Sequence, residues 1–338
     1  MRFGIFDHMD RSGEQLSVQF ENRLTMLEAC DRAGFYGYHL AEHHQTPLGL
    51  ATSPSVFLAA AAQRTKTIRL GALVFTLSLY HPLRILDEVC MLDHLSNGRL
   101  DLGLGRGISP IELSFYGVDA AQSPEIYGEV AAILRQGLTS KVINHQGKHF
   151  NFRDVPVEMS PLQKAIPLWY GVAQPESADR AAKNAGNIVC NGSPKMVREL
   201  GDRYRRVFRE HHGASAKLPL IGMTRHLVVA DSDAEARELA DPAYLMWADA
   251  ITYLWRKHNV PITLVIPPTF AAAEEMGICV VGSPSTVRDK LLAQCKAADV
   301  NYFLSRLAFG NLPLSASLKS VELIKREIMP AFAAAEVA

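Results

Sequence analysis

The sequence carries no excess of charge of either sign. Lys and Arg number 35, and Asp and Glu 35, in a chain of 338 residues. With no basic field to hold a phosphate backbone, nucleic acid is excluded as a partner at this level. Long hydrophobic runs are also missing. The greasiest piece, residues 55–62, is far shorter than a bilayer span, so no membrane partner is expected. Cysteine is scarce. The five residues are odd in number, widely spaced and free of any CxxC pair, as expected of small buried side chains in a reducing cytoplasm. The opening MRFGIFDHMD reads as a strand with an acidic end and lacks the layout of a signal peptide. The HExxH zinc motif, the P-loop and the GxGxxG dinucleotide fingerprint are absent too.

What is present is apolar bulk and rhythm. Hydrophobic residues make up 48% and charged residues 21%, enough for a large core and too little charge for disorder. Short β-type runs alternate with longer helical patterns. Strands are expected at 2–6, 36–41, 68–76, 100–104, 167–172, 188–191, within 218–230, and at 302–307. Helical spacing of apolar residues fills the intervals. Eight such alternations predict an α/β fold, a (β/α)₈ TIM barrel, as a single domain over 1–338 with two insertions. One insertion, about 141–161, contains VINHQGKHFNF and reads as a hairpin around Gln146-Gly147. The other, about 241–281, is aromatic-rich, then proline-rich, and reads as irregular, its aromatics from Tyr244 to Trp255 read first as helix packing and otherwise as lid or dimer surface. A doubly wound open sheet is the main rival and rarely needs eight units.

In such barrels the site lies at the C-terminal ends of the strands. Ala41-Glu42-His43-His44 follows the second strand, Gly103-Leu104-Gly105-Arg106-Gly107 the fourth, Ala173-Gln174-Pro175-Glu176-Ser177 the fifth and Cys190-Asn191-Gly192 the sixth. Glycines let backbone approach a ligand, and arginine grips phosphate. The helix start at Gln174–Ser177 offers free N–H groups and a hydroxyl. Together they point to a phosphate between the fourth and fifth strands. Taken singly, Arg106 could equally pair with a surface carboxylate and Ser177 could simply cap its helix. His43 and His44 are adjacent on a strand and face opposite ways, so they cannot easily share a metal ion. No metal is expected. His43 is either a satisfied rim histidine or an acid–base group.

These residues and motifs resemble the bacterial-luciferase-like flavin monooxygenases over nearly the whole chain. The most specific piece is HPLRILDEVCMLDHLSNGRLDLGLGRG, residues 81–107. The opening RFGIF, the AEHH step, QPESADRAAKNAG and the late VGSPSTVRDKL match in order. The resemblance implies a barrel with FMN at the C-terminal rim, usually in a dimer. It implies that FMNH₂, supplied by a separate NAD(P)H:flavin reductase, reacts with O₂ and oxidises a small organic substrate through a C4a-hydroperoxyflavin. It places His43 beside the flavin ring, and Arg106 with Gln174, Glu176 and Ser177 on the phosphate. It puts Leu73 and Val74 at a bulge under the isoalloxazine, where relatives often carry a non-proline cis peptide. Asn191, at the rim after the sixth strand, is a further candidate for the cofactor. Two departures stand out. Luciferase has a reactive cysteine where this chain has Gly105, and the family's phosphate serine falls on Pro175. An F420-dependent dehydrogenase on the same barrel, or a non-catalytic flavin-binding protein, are the alternatives.

Overall fold

Proline sets much of the chain's punctuation. It occupies the first turn of seven helices, where its missing N–H costs nothing and its φ is already helical. In the computed structural model, which describes residues 1–262 and 264–335, the order is β1 (Arg2–Asp7), α1 (Leu16–Ala33), β2 (Gly37–Leu40), α2 (Pro54–Arg64), β3 (Arg69–Thr76), α3 (Pro82–Leu95), β4 (Leu100–Gly105), α4 (Pro110–Phe115) and α5 (Ser123–Thr139). Then come β5 (Val142–Gln146), β6 (Asn151–Pro156), β7 (Leu168–Gly171), α6 (Pro175–Lys183), β8 (Asn187–Cys190), α7 (Pro194–His212), β9 (Ile221–Val229) and α8 (Asp233–Lys257). The chain continues through α9 (Phe270–Glu275), β10 (Cys279–Gly282), α10 (Pro284–Ala298), β11 (Tyr302–Arg306) and α11 (Leu314–Leu323). A π-helical turn at Ile324–Ile328 leads into α12 (Met329–Ala335). The last three residues of the expected domain, 336–338, and Thr263 in its second insertion lie outside the described residues.

Eight parallel strands close into a barrel in the order β1, β2, β3, β4, β7, β8, β9, β11 and back to β1. Both faces of these strands are covered, by helices outside and by packed side chains inside, so β9 is buried along its whole length. The interior is stoppered by Trp169, His39 and Tyr302. The His39 ring lies 4.5 Å from the Trp169 ring, and its Nε2 meets Tyr302 Oη at 2.9 Å. Burial drives the His39 imidazole down to about 3, so it is neutral. The plug fits because Gly4 faces it. A Cβ there would stand 1.9 Å from Tyr302 Oη.

The first insertion holds the antiparallel pair β5–β6, with Gln146 paired to Asn151 and the turn at residues 147–150 between them. The second differs from its reading. Residues 241–257 all continue α8, although Pro242 sits inside that helix. Such a proline costs roughly 3 kcal/mol in an isolated helix. Here Tyr244 and Trp247 are buried against residues of β9 and β10, and Leu254 and Trp255 against Ile111 of α4, and tertiary packing outweighs the local signal. The segment then supplies an unforeseen ninth parallel strand. β10 pairs with His226–Val229, the part of β9 that runs beyond its pairing with β11 at Gly222–His226.

Candidate active site

Applied to this barrel, the strand-end rule gathers a polar cluster at one mouth. After β2 the chain presents Glu42, His43 and His44, all buried. His43 Nδ1 lies 3.2 Å from Glu112 Oε1, and the other Glu112 oxygen accepts the His44 N–H at 2.7 Å. Glu112 is delivered by α4, a six-residue helix whose first turn is closed by Ser109. The Ser109 hydroxyl accepts the Glu112 N–H at 3.2 Å. Burial pulls the Glu112 carboxyl upward. The bond to His43, the His43 charge and the His44 N–H outweigh it and hold the group below its ordinary value.

His44 turns the other way, into a second network. Its Nε2 meets Glu42 Oε1 at 2.8 Å and its Nδ1 meets Tyr116 Oη at 2.9 Å. Glu42 also accepts the Thr76 N–H at 2.6 Å and the Tyr80 hydroxyl at 2.9 Å. Adjacent residues facing opposite ways is the geometry expected of a strand end. Both histidines are therefore held by carboxylates, and among the described residues no group of three or more His, Cys, Asp or Glu could hold a metal ion.

β3, the neighbour of β2, carries an irregularity. Its register with β4 shifts between Ala72 and Phe75, and the Leu73–Val74 peptide is cis. Gly105, at the end of β4, faces this step. Arg106 follows it, exposed, and its guanidinium enters no ion pair or hydrogen bond among the described residues. Only its backbone is engaged, with the carbonyl accepting from Ser78 Oγ and Ser123 Oγ at 3.1 and 3.3 Å. Gly107 takes φ +88°, a turn that a side chain would resist.

β4 pairs directly with β7, so Arg106 and the start of α6 emerge at the same end of neighbouring strands. Gln174 and Glu176 are exposed there. The Ser177 hydroxyl donates to the Gln174 carbonyl at 2.6 Å and accepts the Gln174 N–H at 3.2 Å. Ser177 thus caps its helix, as its bland reading allows; with the Gln174 N–H on Ser177 Oγ, the Ser177 N–H on the Gln174 carbonyl and none on Pro175, the Glu176 N–H is the first-turn donor left to meet a ligand among the described residues. Asn191 stands apart, at the end of β8, where its Oδ1 accepts from Thr224 Oγ1 at 2.9 Å and Arg306 Nη1 at 3.3 Å.

Several residues of this mouth were not singled out from sequence. Glu112 sits on a short helix just beyond the 81–107 motif, outside the residues that matched, and gave no signal. His8 and Arg306 were findable, because they stand at the ends of the first and eighth strands, where the same strand-end rule applies. The His8 ring is 5.8 Å from that of His43, and its Nδ1 accepts from Trp247 Nε1 at 3.3 Å. Burial, then Arg306, His43 and His226, keep His8 well below the usual histidine range and hence neutral.

Comparison with known proteins follows the same lines. The sequence pattern of the family described as luciferase-like monooxygenase matches residues 1–300. An uncharacterized protein of Sinorhizobium fredii is 43% identical over 330 residues, covering 97% of this chain and 96% of the relative. The oxygenase component of a flavin-dependent trigonelline monooxygenase from Acinetobacter baylyi is 25% identical, covering 100% and 97%. Among solved structures, the oxygenating constituent of 3,6-diketocamphane monooxygenase from Pseudomonas putida, in complex with FMN, superposes with a TM-score of 0.83. It is 21% identical and covers 98% of each chain. At that identity it shares the fold.

Proposed function

This chain belongs to the luciferase-like monooxygenase family, and from that premise we propose that it is the oxygenase of a two-component system, using FMNH₂ from a separate reductase and O₂. The observation that carries the reading is the His43–Glu112 pair, buried at the barrel mouth after β2, with the Leu73–Val74 step on the neighbouring β3 and the uncommitted Arg106 guanidinium after β4 beyond it.

The residues fit FMN. Arg106, between Gly105 and Gly107, would take the phosphate, helped by the first turn of α6 with Gln174, Glu176 and Ser177. Leu73 and Val74 would lie under the ring system. Reduced FMN, when bound, supplies the electron pair with which one oxygen atom of O₂ enters the substrate and the other leaves as water. The protein's part is placement and proton control. Glu112 accepts from His43 Nδ1–H, which fixes that tautomer and leaves Nε2 with its lone pair free to accept a proton from a ligand atom at the mouth. The plug of Trp169, His39 and Tyr302 fills the floor and excludes water from that end of the barrel.

The test is uptake of FMN by the purified protein, followed by fluorescence quenching, with F420 titrated in parallel. Arg106→Ala should weaken FMN by ~100-fold, as loss of a charged phosphate partner costs about 2–3 kcal/mol, and should leave riboflavin, which has no phosphate, unaffected. No FMN uptake, or preference for F420, overturns the reading. With FMN and a flavin reductase added, NADH-driven O₂ consumption partitioned between product and hydrogen peroxide separates an oxygenase from a passive flavin carrier.

A further inference from the structure

The barrel mouth has two halves. His43, the Leu73–Val74 step, Arg106 and α6 belong to β2, β3, β4 and β7. The opposite half, built by β8, β9, β11 and β1, presents Asn191, Thr224, Arg306 and Phe6, and α8 adds Trp247. Arg306, the last residue of β11, is 3% exposed. Among the described residues it forms no ion pair. Its Nη1 donates to Asn191 Oδ1, and its Nε meets no acceptor at all. The rings of Phe6 and Trp247 flank it at 5.0 and 5.7 Å, a partial compensation for lost water.

The surrounding groups do not neutralise it. His8 and His226 are both driven well below the usual histidine range, by burial first, and are neutral. Arg225, the next cation, adds charge of the same sign. Its side chain is committed to Gln294, the Thr224 carbonyl and Met223. Asp10 is the acid whose charge reaches it, but Asp10 Oδ2 accepts the Gly310 N–H at 2.6 Å, and burial pushes that carboxyl up to about 7. A buried cation with no counter-ion is costly to fold. Asn191, by contrast, is exposed and uses only its Oδ1. The way to the arginine from solvent therefore runs along Asn191, whose Nδ2 is a second free donor.

We propose that Arg306 and Asn191 form the substrate end of the mouth and that the substrate is an organic carboxylate, held by the guanidinium edge and the Asn191 amide. This rests on the oxygenase reading and adds to it the substrate class. A carboxylate matches the planar donor fork of arginine. Anchored on this half, it extends its remaining carbon framework across the mouth toward His43.

The FMN-saturated protein is titrated by calorimetry with acetate, benzoate, phenylacetate and cyclohexanecarboxylate, each beside its neutral amide. At least one carboxylate should bind tenfold or more tightly than its amide. Arg306→Met should abolish that preference, Arg306→Lys should keep part of it, and FMN affinity should stay within twofold in both. Without ligand, Arg306→Met should melt no lower than the native protein, because it removes an unpaired buried charge. The proposal is overturned if no carboxylate in the panel outbinds its amide, if Arg306→Met retains the preference, or if that variant melts markedly lower. It is overturned equally if Arg306→Met loses FMN tenfold, since the arginine then serves the flavin. If native protein takes up no FMN, the oxygenase reading fails, while carboxylate preference is still measured on the protein alone.

Discussion

Two carboxylates at the mouth illustrate how burial is resolved in opposite ways. Glu112 is surrounded by donors, with His43 on one oxygen and the His44 N–H on the other, and stays ionised. Its role is to hold His43 Nδ1. Glu112→Gln preserves size but removes the charge, so turnover to product should fall by ~10-fold or more, with the lost electrons appearing as hydrogen peroxide and FMN affinity nearly intact. Unchanged coupling of NADH to product would remove Glu112 from the mechanism. Asp10 has one donor, the Gly310 N–H, and an orphaned Oδ1. Burial, opposed by Arg23, lifts it to about 7. Its folded-state value lies above its unfolded value, so folding favours the protonated form. The stability it contributes is complete below about pH 4 and is lost as pH rises through 7. Urea melts at pH 5 and pH 8 should show native protein losing ~2 kcal/mol more than Asp10→Asn over that interval. Parallel slopes for the two proteins would contradict the assignment.

At the scale of elements, the contact of β3 with β4 sets the shape of the mouth where the proposed flavin would lie. A Cβ placed on Gly105 would stand 1.9 Å from Val74 Cγ2 and 2.9 Å from Val74 Cβ. The cysteine that luciferase has at this place cannot be accommodated while Val74 keeps its position. Gly105→Cys should cost ~1–3 kcal/mol as an overpacked contact, and Val74→Ala in the same chain should recover most of that loss. A fully stable single variant would show that the β3 step yields more easily than its packing implies. The eight barrel strands were legible because each is a short apolar run followed by helix-forming spacing, and the rim residues were legible because strand ends are where such barrels place chemistry. What escaped the sequence was set by tertiary partners. α8 runs on through Pro242 because its aromatic face is buried, a force that no local propensity reports. β10 is only four residues long and has meaning only beside β9. Glu112 lies 69 positions from the histidine it holds, and no spacing rule spans that distance.

Over the whole molecule, α2 and α3 lie side by side on the outer surface, joined by the Ser55 hydroxyl donating to Glu88 Oε2 at 2.6 Å. Their outward faces are less polar than a solvated helix pair requires. Val56 is 71% exposed, Met91 51% and Leu95 44%. Exposed apolar side chains on two neighbouring helices are candidates for an interface, and from the family resemblance we predict that a second copy of the chain covers them. A two-fold contact is self-complementary, so each residue near the axis meets its own counterpart or a neighbour of it. A charge placed there is therefore introduced twice, in mutual repulsion and out of water. Sedimentation equilibrium at micromolar concentration should give the mass of two chains. Val56→Glu with Met91→Glu should give the mass of one, with the melting temperature of the isolated barrel preserved, since both side chains already face outward. A native protein that sediments as a single chain, or a double variant that stays paired, would place the contact elsewhere and leave this face to solvent.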